Sequence, residues 1–241
     1  MEIKAVNLTK KFGDAIALDS INFDIKGKGI IGYLGPNGAG KTTTFKILSN
    51  LMKASAGDAY INGINIKDYK LALKNVSALV DNPEPYEDMT IREFLEFIGR
   101  IRNMDKRLLE KRITELGKKL RLDDLDKRCG ILSKGNRQRV VLSAVLLPDT
   151  DILILDEPTS GLDPAEAYDI KKLLKKLGKK KLILLSSHII EEIKELCKTV
   201  IIIDKGKIVA SGPIKTLEKR FGRGKGLEKT YINIVRGTHG N

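Results

Sequence analysis

One segment near residue 35 constrains the fold of this chain more than any other. It combines two glycines separated by four residues with a following Lys and Thr, and reads Gly35-Pro36-Asn37-Gly38-Ala39-Gly40-Lys41-Thr42. Residues 30–34 before it predict a strand, and a helix is predicted from Lys41 onward. In that context the glycines let successive backbone N–H groups face one anion at the positive end of the helix dipole. The segment predicts a phosphate-binding loop in an α/β fold.

Two side chains of this loop can act directly on a bound nucleotide. Lys41 is predicted to reach the β- and γ-phosphates of ATP, and the Thr42 hydroxyl is predicted to ligate Mg²⁺. A chance glycine-rich turn is the alternative, but it would not explain the full pattern between a strand and a helix. The sequence therefore predicts ATP and Mg²⁺ as ligands, with the nucleotide bound by Gly35, Pro36, Asn37, Gly38, Ala39, Gly40, Lys41, Thr42 and Thr43.

An acidic pair follows a second apolar run. Residues 152–155 are all Ile or Leu, and Asp156 and Glu157 come directly after them. A buried strand would deliver Asp156 to its carboxyl edge, where it can hold Mg²⁺ through a water, while Glu157 can accept a proton from the attacking water. A helix cap is the alternative, although a cap does not usually follow four aliphatic residues and precede Pro158. We therefore predict Glu157 as the catalytic base.

Hydrophobic periodicity separates a strand-rich part from a helical part. Strands are predicted at residues 2–8, 16–25, 30–34, 152–155 and 182–186, with a hairpin at residues 200–204 and 207–210. Helices are predicted at residues 106–120, from near Ser133 to before Pro148, from Asp163 to near Gly178, and at 189–198, with a capping box at Thr90 and Glu93 opening another. Strand–helix alternation favours one α/β core, formed by residues 1–84 and 148–241, with a helical subdomain inserted at residues 85–147.

Composition limits where the chain can work. No apolar run approaches the roughly 20 residues that cross a bilayer, and the N-terminus lacks the apolar stretch of a signal peptide, so we expect a cytoplasmic protein. Cys129 and Cys197 are too few for a disulfide framework. The net charge of +13 leaves open nucleic acid, an anionic membrane surface or simple solubility.

Several further motifs make the chain resemble the ABC (ATP-binding cassette) ATPase family. Residues 132–136, Leu-Ser-Lys-Gly-Asn, resemble the family's LSGGQ signature, and residues 160–163, Ser-Gly-Leu-Asp, resemble its D-loop. His188 closes a predicted strand, as the family's switch histidine does, and Phe12 lies where an aromatic ring stacks on adenine. The similarity runs through most of the chain with all motifs in order.

The resemblance implies a fold and a dimer. The fold is a RecA-like P-loop NTPase core with an N-terminal antiparallel β subdomain and an inserted α-helical subdomain, all within one ABC ATPase domain of residues 1–241. Two copies are expected to meet head to tail, so that Ser133 and Gly135 of one contact the γ-phosphate held by the other. Asp163 is expected to bind nucleotide at this interface. His188 is expected to contact the γ-phosphate and help position the water.

The sequence departs from the family pattern in two places. Where the family commonly has Gln in the loop entering the helical subdomain, the nearest residue is Asp81, although the alignment could be off by one. Asp81 could bind Mg²⁺ or a water. In the signature, Lys134 and Asn136 replace Gly and Gln. Lys134 is expected to add a cation near the partner's phosphates and to favour the closed dimer.

The resemblance favours an ATPase subunit that powers transport through separate transmembrane permease subunits. The cassette would pair with an identical or a related second cassette and associate peripherally with the inner face of the membrane. Its motifs are most similar to those of exporters in the drug, antibiotic or sodium class. A soluble ABC ATPase acting on nucleic acid or the ribosome is the first alternative, and an iron–sulfur assembly ATPase is the second.

Overall fold

The computed structural model describes residues 1–238, which form two sheets and surrounding helices. The strands are β1 Glu2–Phe12, β2 Ala15–Lys26, β3 Gly29–Leu34, β4 Ala56–Ile61, β5 Ile64–Asn65, β6 Val76–Leu79, β7 Ile152–Asp156, β8 Leu182–Ser187, β9 Thr199–Asp204 and β10 Lys207–Pro213. The helices are α1 Lys41–Leu48, α2 Tyr69–Ala72, α3 Ile91–Ile101, α4 Lys106–Lys119, α5 Lys134–Leu146, α6 Pro164–Gly178, α7 Ile190–Leu196, α8 Ile214–Phe221 and α9 Gly226–Thr238, with a short 3-10 turn at Cys129–Ile131.

The larger sheet positions the predicted site. Its strand order is β10-β9-β3-β8-β7-β6, and all neighbouring pairs are parallel except β9 with β10. Every residue of β7 and β8 is buried, which fits strands covered on both faces and explains their continuous apolar runs. Because parallel strands end at one edge, the loops after β3, β6, β7 and β8 meet there.

The smaller sheet is antiparallel and contains the N-terminal strands in the order β2-β1-β4-β5. Buried Leu18 and Ile21 of β2 pack in one cluster with Phe45 of α1 and Ile203 of β9. This shared core fixes the small sheet against the phosphate-binding helix. The α/β fold with an antiparallel sheet and a largely parallel sheet confirms the predicted fold class.

Helices α3, α4 and α5 lie between β6 and β7 in the chain and begin at well-formed caps. The Thr90 side chain accepts a bond from Glu93 N while the Glu93 carboxylate accepts one from Thr90 N, which confirms the predicted capping box. Asp105 caps α4 and Ser133 caps α5. Caps of this kind each stabilise a helix by about 1 kcal/mol.

No helix in the described part of the chain is both long enough and apolar enough to cross a membrane.

Several predicted bounds are wrong. The helix predicted at residues 189–198 spans only Ile190–Leu196, because Cys197 is extended at φ −111° and ψ 147°. Strand β1 continues to Phe12 through bulges that interrupt the simple alternation. The predicted hairpin forms, and its two turn residues Lys205 and Gly206 both have positive φ. Strands β4 to β6 and helices α2, α8 and α9 had no prediction.

Candidate functional site

The glycine-rich loop is shaped by close approaches that exclude side chains. A Cβ atom on Gly35 would lie 2.4 Å from the carbonyl oxygen of Ile203. Gly40 has φ +106° and caps α1, and a Cβ there would lie 2.7 Å from Leu18 and 2.8 Å from the Ala17 carbonyl. Only glycine fits these two positions. The loop therefore holds its backbone against β2 and β9 and leads directly into the N-terminus of α1.

Lys41 folds back over this loop. The residue is 5% exposed, and its Nζ donates to the carbonyl oxygens of Gly35 at 2.9 Å and Pro36 at 3.1 Å. The same Nζ lies 3.4 Å from Oε1 of Glu157. The ammonium group is thus held at the mouth of the loop by neighbouring backbone and one acid.

Thr42 and Asp156 meet across 114 positions of sequence. The Thr42 hydroxyl donates to Asp156 Oδ2 at 2.7 Å. Ser186, at the end of β8, donates a short hydrogen bond to Asp156 Oδ1 and accepts one from Glu157 N at 2.9 Å. Both oxygens of the buried Asp156 carboxylate are therefore engaged, and one of them lies beside the Thr42 hydroxyl.

Glu157 follows β7 with a left-handed backbone at φ +46°. This conformation is uncommon for a residue with a side chain. The Glu157 Oε1 atom lies 2.9 Å from Nδ1 of His188, which follows β8. The predicted base and the predicted switch histidine are therefore in contact within one chain.

A cavity of about 260 Å³ opens beside these residues. Its walls come from the glycine-rich loop, from the loop after β6 and from the acidic pair: Ala17, Asn37, Gly38, Gly40, Lys41, Thr42, Thr43, Asp81, Asn82, Asp156 and Glu157. Asp81 and Asn82 have φ of +67° and +45°, and Asp81 forms an ion pair with Lys46 of α1 at 2.6 Å. Asp81 and Asn82, the two residues that the alignment allows at the position where the family commonly has Gln, thus face the same cavity as the predicted phosphate and metal residues.

The signature residues lie outside this cavity. Ser133 accepts a bond from Asn136 N, and a Cβ atom on Gly135 would lie 2.2 Å from the Glu166 carboxylate. Asp163 caps α6 and forms a capping box with Glu166. The structure therefore groups Ser133, Gly135 and Asp163 around the start of α6 rather than at the chain's own phosphate loop.

Phe12 and Lys134 have neighbours within the chain. The Phe12 ring is 50% exposed at the end of β1, with Lys10 Nζ 5.0 Å from its centroid. Lys134 Nζ lies against Gly161, where a Cβ atom would be 2.4 Å away. Within the described part of the chain, five predicted site residues do not line the cavity: Phe12, Gly35, Pro36, Ala39 and His188. Three of these five contact residues that do line it, namely Gly35, Pro36 and His188.

Sequence reasoning missed Ser186 and Lys46. Ser186 binds both acidic residues, and its sequence signal is a hydroxyl near the end of an apolar strand, two residues before His188. Lys46 lies one helical turn beyond Thr42 on α1, where it reaches Asp81. Neither residue stands out from composition or motif, because each acts through a partner that is distant in sequence: Ser186 lies 30 residues from Asp156, and Lys46 pairs with Asp81 of the loop after β6.

The family profile described as ABC transporter matches residues 18–160, which is more than half of the chain. The chain belongs to the ABC transporter family. A relative in Bacillus subtilis (strain 168), the uncharacterized ABC transporter ATP-binding protein YhcH, is 38% identical over 213 residues, covering 87% of this chain and 68% of the relative. The bacitracin transport ATP-binding protein BcrA of Bacillus licheniformis is 36% identical over 222 residues, covering 90% and 72%.

The fold of this ABC cassette is also that of solved cassettes. A dimeric ATP-binding cassette, MJ0796, in a post-hydrolysis state bound to ADP and Pi superimposes with a TM-score of 0.79 at 26% identity, covering 88% of this chain and 98% of that one. The predicted family, fold and ATPase activity are confirmed. The chain is an ATP-binding and ATP-hydrolysing subunit of the ABC transporter type.

Proposed function

We propose that this ABC cassette powers transport through separate membrane subunits, and that Glu157, His188 and Lys41 carry out hydrolysis. The observation that carries the proposal is the shared oxygen of Glu157, which contacts both His188 and Lys41 beside the phosphate loop. A carboxylate next to the phosphate site can take a proton from water. His188, held against that carboxylate, would orient the water, while Lys41 would bind the transferred phosphoryl group.

The residues present fit Mg²⁺. The metal prefers hard oxygen ligands and keeps several waters, with one or two carboxylates and the substrate phosphates completing its shell. The Thr42 hydroxyl and the Asp156 carboxylate form such a pair, and Asp81 faces the same cavity. Bound there, Mg²⁺ would neutralise charge on the β- and γ-phosphates. Thr42 and Asp156 would hold it, with Asp81 close enough to bind it or its water.

The grouping of Ser133, Gly135 and Asp163 supports a head-to-tail dimer. Ser133 and Gly135 lie at the start of α5, whose positive dipole end favours an anion, and Asp163 lies at the start of the adjacent α6. They do not line the cavity of their own chain. They would therefore serve the γ-phosphate of a second cassette, identical or related, with Phe12 of the nucleotide-holding chain stacking on adenine.

An aromatic cluster with one exposed member, Tyr86, supports docking on a membrane subunit. Tyr86 is 57% exposed and packs edge-on against Phe94 and Phe97 of α3, at centroid distances of 6.0 and 5.7 Å. The cluster follows Asp81 in sequence, so the loop at the nucleotide cavity leads directly into it. We place the membrane contact here, in the proposed helical subdomain of residues 85–147, with the cassette at the inner face of the membrane in the cytoplasm.

Purification of a trapped state tests the proposal. Tagged Glu157→Gln protein is isolated with Mg-ATP from detergent-solubilised, nuclease-treated cells, and its companions are identified by mass spectrometry. A multi-span membrane protein recovered in stoichiometric amount, and lost from the Tyr86→Ala variant, is the expected result. Ribosomal or nucleic-acid-binding proteins without a membrane protein would instead support the soluble alternative.

A further inference from the structure

A buried carboxylate outside the proposed catalytic set joins the two segments that carry Glu157 and His188. Glu192, in the first turn of α7, is 7% exposed. Its Oε1 accepts a short hydrogen bond from the Thr159 hydroxyl, and its Oε2 accepts one from the Ser187 hydroxyl at 2.6 Å. Thr159 lies two residues after Glu157, and Ser187 lies one residue before His188.

The two serines at the end of β8 bind different groups of residues. Successive side chains of a strand point to opposite faces. Ser186 accordingly binds Asp156 and Glu157 N, while Ser187 binds Glu192 and also accepts a bond from Ile189 N at 3.0 Å. The backbone on both sides of His188 is therefore held by Ser187, and Ser187 is itself held by Glu192.

Burial of the Glu192 carboxylate costs free energy, which indicates that the residue has a role beyond packing. An ionised carboxylate is unfavourable in the interior unless it is well hydrogen-bonded, and in the described part of the chain the hydrogen-bond partners of Glu192 are two hydroxyls. The positive end of the α7 dipole offsets part of this cost. The dipole favours the neighbouring Glu191 equally, yet Glu191 is exposed and, within residues 1–238, its side chain links no two segments. Helix stabilisation alone therefore does not explain the burial of Glu192.

We infer that Glu192 is a positioning residue that sets His188 against Glu157 by tying Thr159 to Ser187. The inference rests on the proposed function of Glu157 and His188. It also links two parts of the cassette, because Thr159 directly precedes the Ser160–Asp163 turn that the dimer partner is proposed to contact. A displacement of that turn would be transmitted through Glu192 to the histidine.

Matched variants separate this role from a general loss of stability. Glu192→Gln keeps the side-chain volume but leaves one of the two hydroxyls without an acceptor, and Glu191→Gln makes the same chemical change at the exposed neighbour. Thr159→Val removes one donor without changing shape, and Thr159→Ser restores it. We expect kcat for ATP hydrolysis to fall on the order of 10- to 100-fold in Glu192→Gln and Thr159→Val. The KM for ATP should stay within about twofold, with Glu191→Gln and Thr159→Ser near the parent value.

A second readout follows His188 itself. The sequence contains two histidines, so a His239→Gln background leaves one ring signal in a ¹³C–¹H NMR spectrum. That signal should shift in Glu192→Gln and Thr159→Val, in the direction seen for Glu157→Gln, and should not shift in Glu191→Gln. Unchanged kcat in both bridging variants, or a lowered kcat with an unmoved His188 signal, would overturn the inference. If the parent protein binds Mg-ATP without hydrolysing it, the proposed function fails, while the His188 signal still tests the positioning role.

Discussion

The Nδ1 atom of His188 lies 2.9 Å from Oε1 of Glu157. The two residues are 31 positions apart and follow neighbouring parallel strands, β7 and β8. Lys41, which follows β3 and its loop, reaches the same oxygen at 3.4 Å. Three segments of the sheet edge thus converge on one carboxylate oxygen, and each contributes a side chain with a different expected kinetic effect.

Removal of the histidine should impair chemistry rather than binding. In His188→Ala, Glu157 loses the partner that would orient the water, and we expect kcat to fall by about 10²- to 10⁴-fold. Affinity for Mg-ATP, measured by isothermal titration calorimetry, should change by less than about threefold because the phosphate loop is intact. His239→Ala is the control. A His188→Ala enzyme with wild-type kcat would exclude a catalytic role for this residue.

Removal of the lysine should impair binding itself. Lys41→Ala deletes the buried ammonium group at the mouth of the loop, and hydrogen bonds to charged groups contribute about 1.5–3 kcal/mol each. The Kd for ATP should therefore rise roughly 10- to 100-fold. Lys70→Ala, at an exposed position on α2, provides the matched charge change. Equal Kd values for the two variants would contradict the assignment of Lys41.

In the loop after β6, either Asp81 or Asn82 is the residue proposed to contact Mg²⁺ or its water. Asp81→Ala should raise the Mg²⁺ concentration needed for half-maximal hydrolysis, because a carboxylate facing the cavity is lost. Asn82→Ala removes the neighbouring side chain without removing charge and should leave the Mg²⁺ dependence unchanged. The reverse result would show that the loop alignment is displaced by one residue and that Asn82 has the proposed role.

Burial should keep both cysteine thiols from reacting with a thiol reagent in the native protein. Burial, together with the charge of Glu192, raises the pKa of Cys197 to about 12, and burial also raises the pKa of Cys129. Because these pKa values lie above the ordinary value of about 8.5, the thiols stay protonated at pH 8. Their contribution to stability is complete below that ordinary value and is lost as pH rises toward the folded-state pKa.

A disulfide reagent tests that expectation. Native protein at pH 8 should release almost no coloured thiolate within minutes, whereas protein in guanidinium chloride should release two equivalents per chain. Rapid reaction of a native thiol would show that the packing around Cys197 or Cys129 is more open than described. Cys197→Ala and Cys129→Ala then identify the reactive position.

The sequence predicts those parts of the fold that have a strong local signal. Residues 152–155 are four aliphatic residues in a row, and they form the buried strand β7 as expected. By contrast, β4 contains Gly57 and Asp58 and is held by pairing with β1, so its structure depends on a distant partner. The C-terminal helices α8 and α9 carry many exposed basic residues, which mask the buried Leu217 and Leu227.

The site residues likewise fall into those that a local motif predicts and those that only the folded structure reveals. Lys41, Thr42, Asp156 and Glu157 occur in compact motifs, and the structure places them around one cavity. Ser186, Lys46 and Glu192 each act through at least one contact with a segment distant in sequence, and no spacing in the chain marks them. Ser133 and Gly135 need a second cassette to complete their proposed contacts, so their roles stay predictions.

The mass of the Glu157→Gln protein with and without nucleotide tests the central claim most directly. Size-exclusion chromatography with light scattering should show a monomer with Mg-ADP or without nucleotide, and a dimer holding one ATP per chain with Mg-ATP. Hydrolysis by this variant should be slower than in wild type by orders of magnitude, of about the 10²- to 10⁴-fold expected for a lost general base. A variant that hydrolyses ATP at the wild-type rate, or keeps one mass in all three conditions, would contradict the account.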